Sequence, residues 1–160
     1  MIISSFSESL REKIAQEAKS WVGTLFHHQG RIKKSENGFG GCDCIGLVMS
    51  IARKFNLKSI YDGDLLINHD EQNYSRFPQK NKLLEKLSKH LSVANRTYVR
   101  TGDIGLFKIN KLPQHVGIFV NEGTTSLIHA YQDVGFVCMH NYSDLWKNRL
   151  IKLFSFNELR

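Results

Sequence analysis

Cys44 stands where a glycine-rich loop gives way to an amphipathic helix. Gly38, Gly40 and Gly41 precede it, and Leu47, Val48, Ile51, Ala52 and Phe55 follow at the spacing of one buried helical face. Glycine continues a helix only at a cost, so the glycines mark its start. A cysteine there meets unpaired backbone N–H groups and the positive end of the helix dipole. Both favour thiolate, and the thiol pKa is expected to fall below its reference of about 8.5. The chemistry on offer is attack by sulfur, which needs a base within reach and a third polar group to hold that base's tautomer.

His115 and His129 supply both. His115 opens one apolar run and His129 nearly ends the next, with Asn121-Glu122-Gly123 between them as a three-residue hairpin loop. Val120 then pairs with Thr124, and counting outward sets His115 opposite His129. Their even separation puts both side chains on one sheet face, where the two imidazoles could share a hydrogen bond. A four-residue loop would shift this register. Gly117, on the same face, would leave room for the helix carrying Cys44. His27 and His28 read as loop residues bordering a cleft, and His69, His90 and His140 as surface histidines.

Other readings of the cysteines are weaker. Cys138, between Val137 and Met139, reads as a small buried hydrophobe. Cys42 and Cys44 form a C-x-C pair, but no C-x-x-C or H-x₃₋₅-H partner follows, so zinc is not expected there. Three cysteines, an odd number, argue against a secreted disulfide framework.

At 160 residues the chain makes one domain, residues 1–160, with core enough to fold without metal or disulfide. The first residues, Met1 to Glu8, lack a basic n-region and a long apolar stretch, so no cleaved leader is expected. No window has the roughly 18 apolar residues of a membrane span. A formal charge of +7 predicts attraction to polyanions, with nucleic acid one candidate and an anionic cell envelope or wall polymer another. The basic residues are dispersed and no recognition-helix pattern appears, so specific nucleic-acid readout is not expected.

The elements that must position the site follow from periodicity. Glu8 to Val22 reads as a first helix, with a capping box from Ser5/Glu8 or Ser9/Glu12. Cys44 to about Phe55 is the second, and Asn81 to Leu91 the third. Tyr61 to Pro78 is polar and irregular. Beyond Arg100, residues 104–109, 116–120, 126–130, 136–139 and 149–156 read as strands of an antiparallel sheet. Helices first and strands afterward make an α+β domain with helices packed on one sheet face.

With these residues in hand, the chain resembles the NlpC-type family of papain-like cell-wall cysteine peptidases. It is especially similar to the phage-associated branch, including that of phage-like gene-transfer particles. The stretches that carry the likeness are Ala18 to Thr24, Phe26-His27-His28-Gln29-Gly30, Gly41 to Val48, Thr101 to Ile104, Gln114 to Phe119 and Leu127 to Tyr131. The resemblance implies a papain-like fold and a Cys-His-His triad, with Cys44 as nucleophile, His115 as base and His129 orienting it. It implies that Asp43 positions a substrate amino group and that Phe26, His28, Gln29 and Ile45 line the substrate site. It implies peptide stems of peptidoglycan as substrate, cut at a D-γ-glutamyl to diamino-acid bond through an acyl-enzyme. Backbone N–H groups at the helix start, that of Cys44 first, would hold the oxyanion. No metal or organic cofactor is required.

The chain departs from the family pattern twice. Phe26 stands where many members have the tyrosine of G-T-P-Y, and Ile45 replaces the serine often found after the nucleophile. Both changes make the pocket more apolar. A protein without a leader fits a component of a phage tail or phage-like particle, made in the cytoplasm and delivered to the wall. It fits an intracellular recycling enzyme as well. Two further functions share the sequence: an amidase, deamidase or acyltransferase on the same fold, and a non-catalytic particle subunit.

Overall fold

The computed structural model describes residues 2–77 and 79–159, with side chains from residue 10 onward. Helix α1 (Ile2–Ser20) begins before the expected Glu8, and the side chains of the two proposed capping boxes at Ser5 and Ser9 lie largely outside the described ones. A two-stranded ribbon, β1 (Arg31–Ile32) and β2 (Gly41–Cys42), folds the glycine-rich loop back on itself and leads into α2 (Cys44–Lys54). After an irregular segment with one 3-10 turn (Leu66–His69), α3 (Lys82–His90) completes the helical half.

The remaining strands are β3 (Ser92–Val93), β4 (Ile104–Ile109), β5 (Leu112–Glu122), β6 (Thr124–Tyr131), β7 (Phe136–Asn141) and β8 (Leu150–Ser155). They form a six-stranded antiparallel sheet in the order β3-β8-β4-β5-β6-β7. Alternation sorts their side chains. Leu106, Val116, Ile118, Ile128 and Val137 join Ile14, Ala18, Leu47 and Ile51 in the main core, so α1 and α2 cover that face.

The sheet's other face is covered too, contrary to the one-sided packing expected. A short helix, α4 (Asp144–Arg149), lies just before β8 and sets Trp146 against Phe107, Phe119, Leu127 and Leu153. Its six residues are too few to show helical periodicity.

A buried ion cluster ties α1 to the sheet. Asp103 accepts hydrogen bonds from Arg11 at 3.1 Å, from both terminal nitrogens of Arg96 and from the Arg100 backbone N–H. Arg11, 1% exposed, also donates to the carbonyls of Thr101 and Leu159. Among the described residues, no helix is long and apolar enough to cross a membrane.

Candidate active site

Asp43 fixes the start of α2. Its extended backbone places Oδ1 2.7 Å from the Gly46 N–H, the cap that an orphan helix donor requires. Gly46 allows the approach, because a Cβ there would overlap the Gly30 carbonyl oxygen. The same carboxylate accepts from the Gln29 N–H at 2.8 Å, from Arg31 at 3.1 Å and from the Tyr74 hydroxyl. Arg31 in turn forks onto Asp70 at 3.0 and 3.1 Å. Both oxygens of Asp43 are therefore engaged by the protein.

The capped helix presents Cys44 to a cleft of about 230 Å³, whose walls include Phe26, His28, Asp43, Ile45, Tyr74 and His115. Gln29 stands behind the wall and donates from Nε2 to the Tyr74 carbonyl at 2.7 Å; His28 Nε2 meets the same carbonyl at 3.1 Å. The loop before Cys44 thus clasps the irregular segment beyond it. Arg76, Lys80, Lys82 and Lys86 ring the same cleft with positive charge.

The Cys44 thiol is not depressed as its place at a helix start suggested. Burial, followed by the nearby Asp43 charge, pushes it up to about 12, although the N–H groups of Val116, Ile45 and Cys44 itself pull the other way. Desolvation of the charged form outweighs the local dipole. The Val116 N–H puts the sulfur beside the residue that follows His115.

His115 and His129 are joined, by a register different from the expected one. The turn is Gly123 alone, at φ +92°, so Glu122 pairs with Thr124 and Ile118 with Ile128. His115 and His129 consequently sit on a diagonal rather than face to face. The even separation keeps them on one side of the sheet, and His115 Nε2 lies 2.7 Å from His129 Nδ1. Gly117 faces this side as well. A Cβ there would press on the Leu127 side chain and on the Cβ of His129, so the glycine makes room for β6 and not for α2.

The connection continues to His140, which is half-buried rather than on the surface as its sequence context suggests. His129 Nε2 lies 2.8 Å from His140 Nε2, and His140 Nδ1 lies 2.8 Å from the Asn141 carbonyl. A carbonyl only accepts, so Nδ1 of His140 carries its proton and neutral His140 accepts at Nε2. His129 must then donate from Nε2 and accept at Nδ1. His115 must donate from Nε2, which leaves its lone pair on Nδ1. One backbone carbonyl sets all three tautomers.

Trp146 packs over the buried His115–His129 pair. Its ring stands edge-on to His129 with centroids 4.7 Å apart, and lies 5.6 Å from His115. Burial drives His115 down to about 3, with the Arg149 charge adding to it. His129 falls to about 2, through burial first and then its two histidine neighbours. Both imidazoles are neutral near pH 7.

Sequence reasoning missed Arg31, Tyr74, His140 and Trp146. The β6–β7 register, in which His129 pairs with Cys138, would have found His140, because it lies two residues along on the same face. Tyr74 comes from a segment without periodicity, and nothing local marks it. Cys138 is partly exposed, not buried as expected, while Cys42 is fully buried; all three cysteines are free thiols.

Comparison with known proteins agrees with this architecture. The model of the NlpC/P60 family matches residues 23–155. The murein DD-endopeptidase MepS/murein LD-carboxypeptidase of Escherichia coli K12 is 25% identical over 140 residues, 88% of this chain. The chain spans 60% of that relative's length. Among solved structures, an NlpC/P60 family protein from Bacillus cereus superposes with a TM-score of 0.62 at 13% identity, over 91% of this chain and 40% of that one. The NlpC/p60 domain of the peptidoglycan hydrolase SagA gives 0.57 at 16%, over 91% and 98%. The peptidoglycan hydrolase RipB of Mycobacterium tuberculosis gives 0.55 at 16%, over 94% and 66%. The fold is that of these papain-like domains, and the chain belongs to the NlpC/P60 family.

Proposed function

We propose that this protein is a cysteine peptidase that hydrolyses the peptide stems of peptidoglycan, with Cys44 as nucleophile, His115 as base and His129 orienting His115. The observation that carries the reading is the 2.7 Å link between His115 Nε2 and His129 Nδ1, made by a histidine that lines the same cleft as Cys44. Membership of the family and the murein endopeptidase named among its relatives support the substrate class. So does the basic rim of Arg76, Lys80, Lys82 and Lys86, since stem peptides carry carboxylates.

Thiol and imidazole are both neutral at rest, so proton transfer accompanies attack. Cys44 Sγ bonds to the scissile carbonyl carbon as His115 Nδ1 takes the thiol proton. Backbone N–H groups at the start of α2 hold the oxyanion. His115 then returns the proton to the leaving amine, and the acyl-enzyme remains on Cys44. Water, deprotonated by His115, releases it. Asp43, with both oxygens engaged, anchors the helix start and the Tyr74 segment, and it also lines the cleft in which it would position the substrate amino group that the resemblance implies. Phe26, His28 and Ile45 are the lining from which substrate contacts would come, with Gln29 supporting them.

The bond between D-glutamate and the diamino acid is the scissile bond we assign, on the motif resemblance. Association with a phage tail or phage-like particle belongs to the same proposal and rests on the same motifs. The deciding experiment is mass spectrometry of defined stem peptides incubated with the protein and with Cys44→Ala. A Cys44-dependent cut at that bond supports the reading. Cleavage that persists in Cys44→Ala, or no cleavage of any stem peptide, overturns it.

A further inference from the structure

We propose that His129, Cys138 and His140 form a binding site for a divalent transition-metal ion of the zinc type, and that occupancy switches the histidine relay off. The site itself follows from the sheet and stands apart from the proposed activity; the switch rests on that activity.

The β6–β7 register sets Cys138 directly opposite His129, and His140 lies two residues along β7 on the same face. One ligand atom from each of the three lies within 4.8 Å of the others. Two imidazole nitrogens and a thiolate suit zinc-type ions, whereas hard cations require oxygen ligands. His140 is already held as metal-bound histidines are, with Nδ1–H on the Asn141 carbonyl at 2.8 Å and the Nε2 lone pair turned toward its neighbours. Cys138 and His140 are partly exposed, so an ion can arrive from solvent although His129 is fully buried. The fourth position would be water.

Binding reverses the relay by simple proton accounting. The Cys138 thiol loses its proton to solvent. The metal occupies the His129 Nε2 lone pair, so the proton there moves to Nδ1. That Nδ1–H can only donate to His115 Nε2, which must become an acceptor and carry its own proton on Nδ1. No proton is lost from either imidazole. The lone pair that would take the Cys44 proton is gone.

A second cluster, Asp62, Asp64 and His69, also brings three donors together, but it is a mostly exposed acidic turn and carries no such argument.

Cobalt(II) tests the site without any substrate. In Cys44→Ala protein, one equivalent of Co²⁺ is expected to give a thiolate-to-cobalt band in the near ultraviolet with the visible intensity of a tetrahedral site. Adding Cys138→Ser should weaken binding by more than the roughly 10–100-fold that loss of an outer-shell partner costs, and adding His140→Ala should do likewise. No band, or a band that survives Cys138→Ser, overturns the site. The switch is read separately, as inhibition of Cys44 alkylation and of stem-peptide cleavage by Zn²⁺, each variant against its own metal-free rate. Inhibition relieved by Cys138→Ser supports the switch, and equal inhibition of both proteins places the metal on Cys44 instead. A protein that cuts no stem peptide fails the functional reading while the cobalt experiment still decides the site.

Discussion

Tyr74 donates its hydroxyl to Asp43, the residue that caps the helix carrying Cys44. The phenol at Phe26 in many family members is missing here, yet a phenol does reach the cleft, from a segment some 48 residues further along the chain. Burial, with the bond to Asp43, raises the Tyr74 pKa, so it remains a donor throughout the neutral range. The contact fastens the segment around residue 74 to the start of α2.

Tyr74→Phe removes that one bond and keeps the ring. Hydrogen bonds to charged groups contribute about 1.5–3 kcal/mol. Part of the loss is met by Arg31 and the Gln29 N–H, which stay on the carboxylate. The expected result is a fall of roughly tenfold in kcat/KM on stem peptides, with Tm lowered by only a few degrees. Unchanged kinetics would mean that the segment does not shape the occupied cleft.

The relay predicts a gradient of effects along its length. His115→Ala removes the proposed base and should lower kcat by about 10²–10⁴-fold with little change in KM. His129→Ala leaves His115 Nε2 without its acceptor and should cost less. His140→Ala should cost least, and His140→Gln should recover much of that loss, because a side-chain carbonyl can still accept from His129 Nε2. Equal defects in His140→Ala and His140→Gln would point to packing beside Trp146 and not to tautomer control.

How far the sequence could be read depended on the range of the forces involved. α2 was legible because its apolar face and its glycine boundary are both local, and parity alone put His115 and His129 on one face. The pairing was missed by one step because Gly123 makes the turn by itself at φ +92°, a tighter solution than the loop expected from Asn121-Glu122-Gly123. The Cys44 thiol is raised rather than lowered because the helix dipole is visible in sequence whereas burial is not. His140, Tyr74 and Trp146 matter through partners 11 or more residues away, and no periodic pattern reports such contacts.

Asp103 offers a stability test remote from the cleft. Replacing it with alanine strands Arg11, which is 1% exposed, without its counter-charge. Breaking a buried pair from one side costs about 3–5 kcal/mol. At about 2–4 °C per kcal/mol for a chain of this size, Tm should fall by roughly 6–20 °C. A drop under about 3 °C in a circular-dichroism melt would mean that the carbonyls of Thr101 and Leu159 suffice to hold Arg11.

The pH dependence of Cys44 decides between two kinds of cysteine site. With the thiol pushed up to about 12 and His115 down to about 3, the resting pair is thiol and imidazole. The thiolate fraction then grows about tenfold per pH unit, so iodoacetamide alkylation should climb without a plateau from pH 7 to pH 10. A stable thiolate–imidazolium pair would instead give a rate already level below pH 7, and that outcome would sink the concerted proton transfer argued above. Stability carries the same sign. Cys42, fully buried, is also raised to about 12. A thiol whose folded pKa exceeds its unfolded value of about 8.5 contributes stability that is complete below that value and is lost as pH rises toward the folded one. The Tm should therefore decline above about pH 9, and less steeply in Cys42→Ala, where one of the three raised thiols no longer ionises on unfolding.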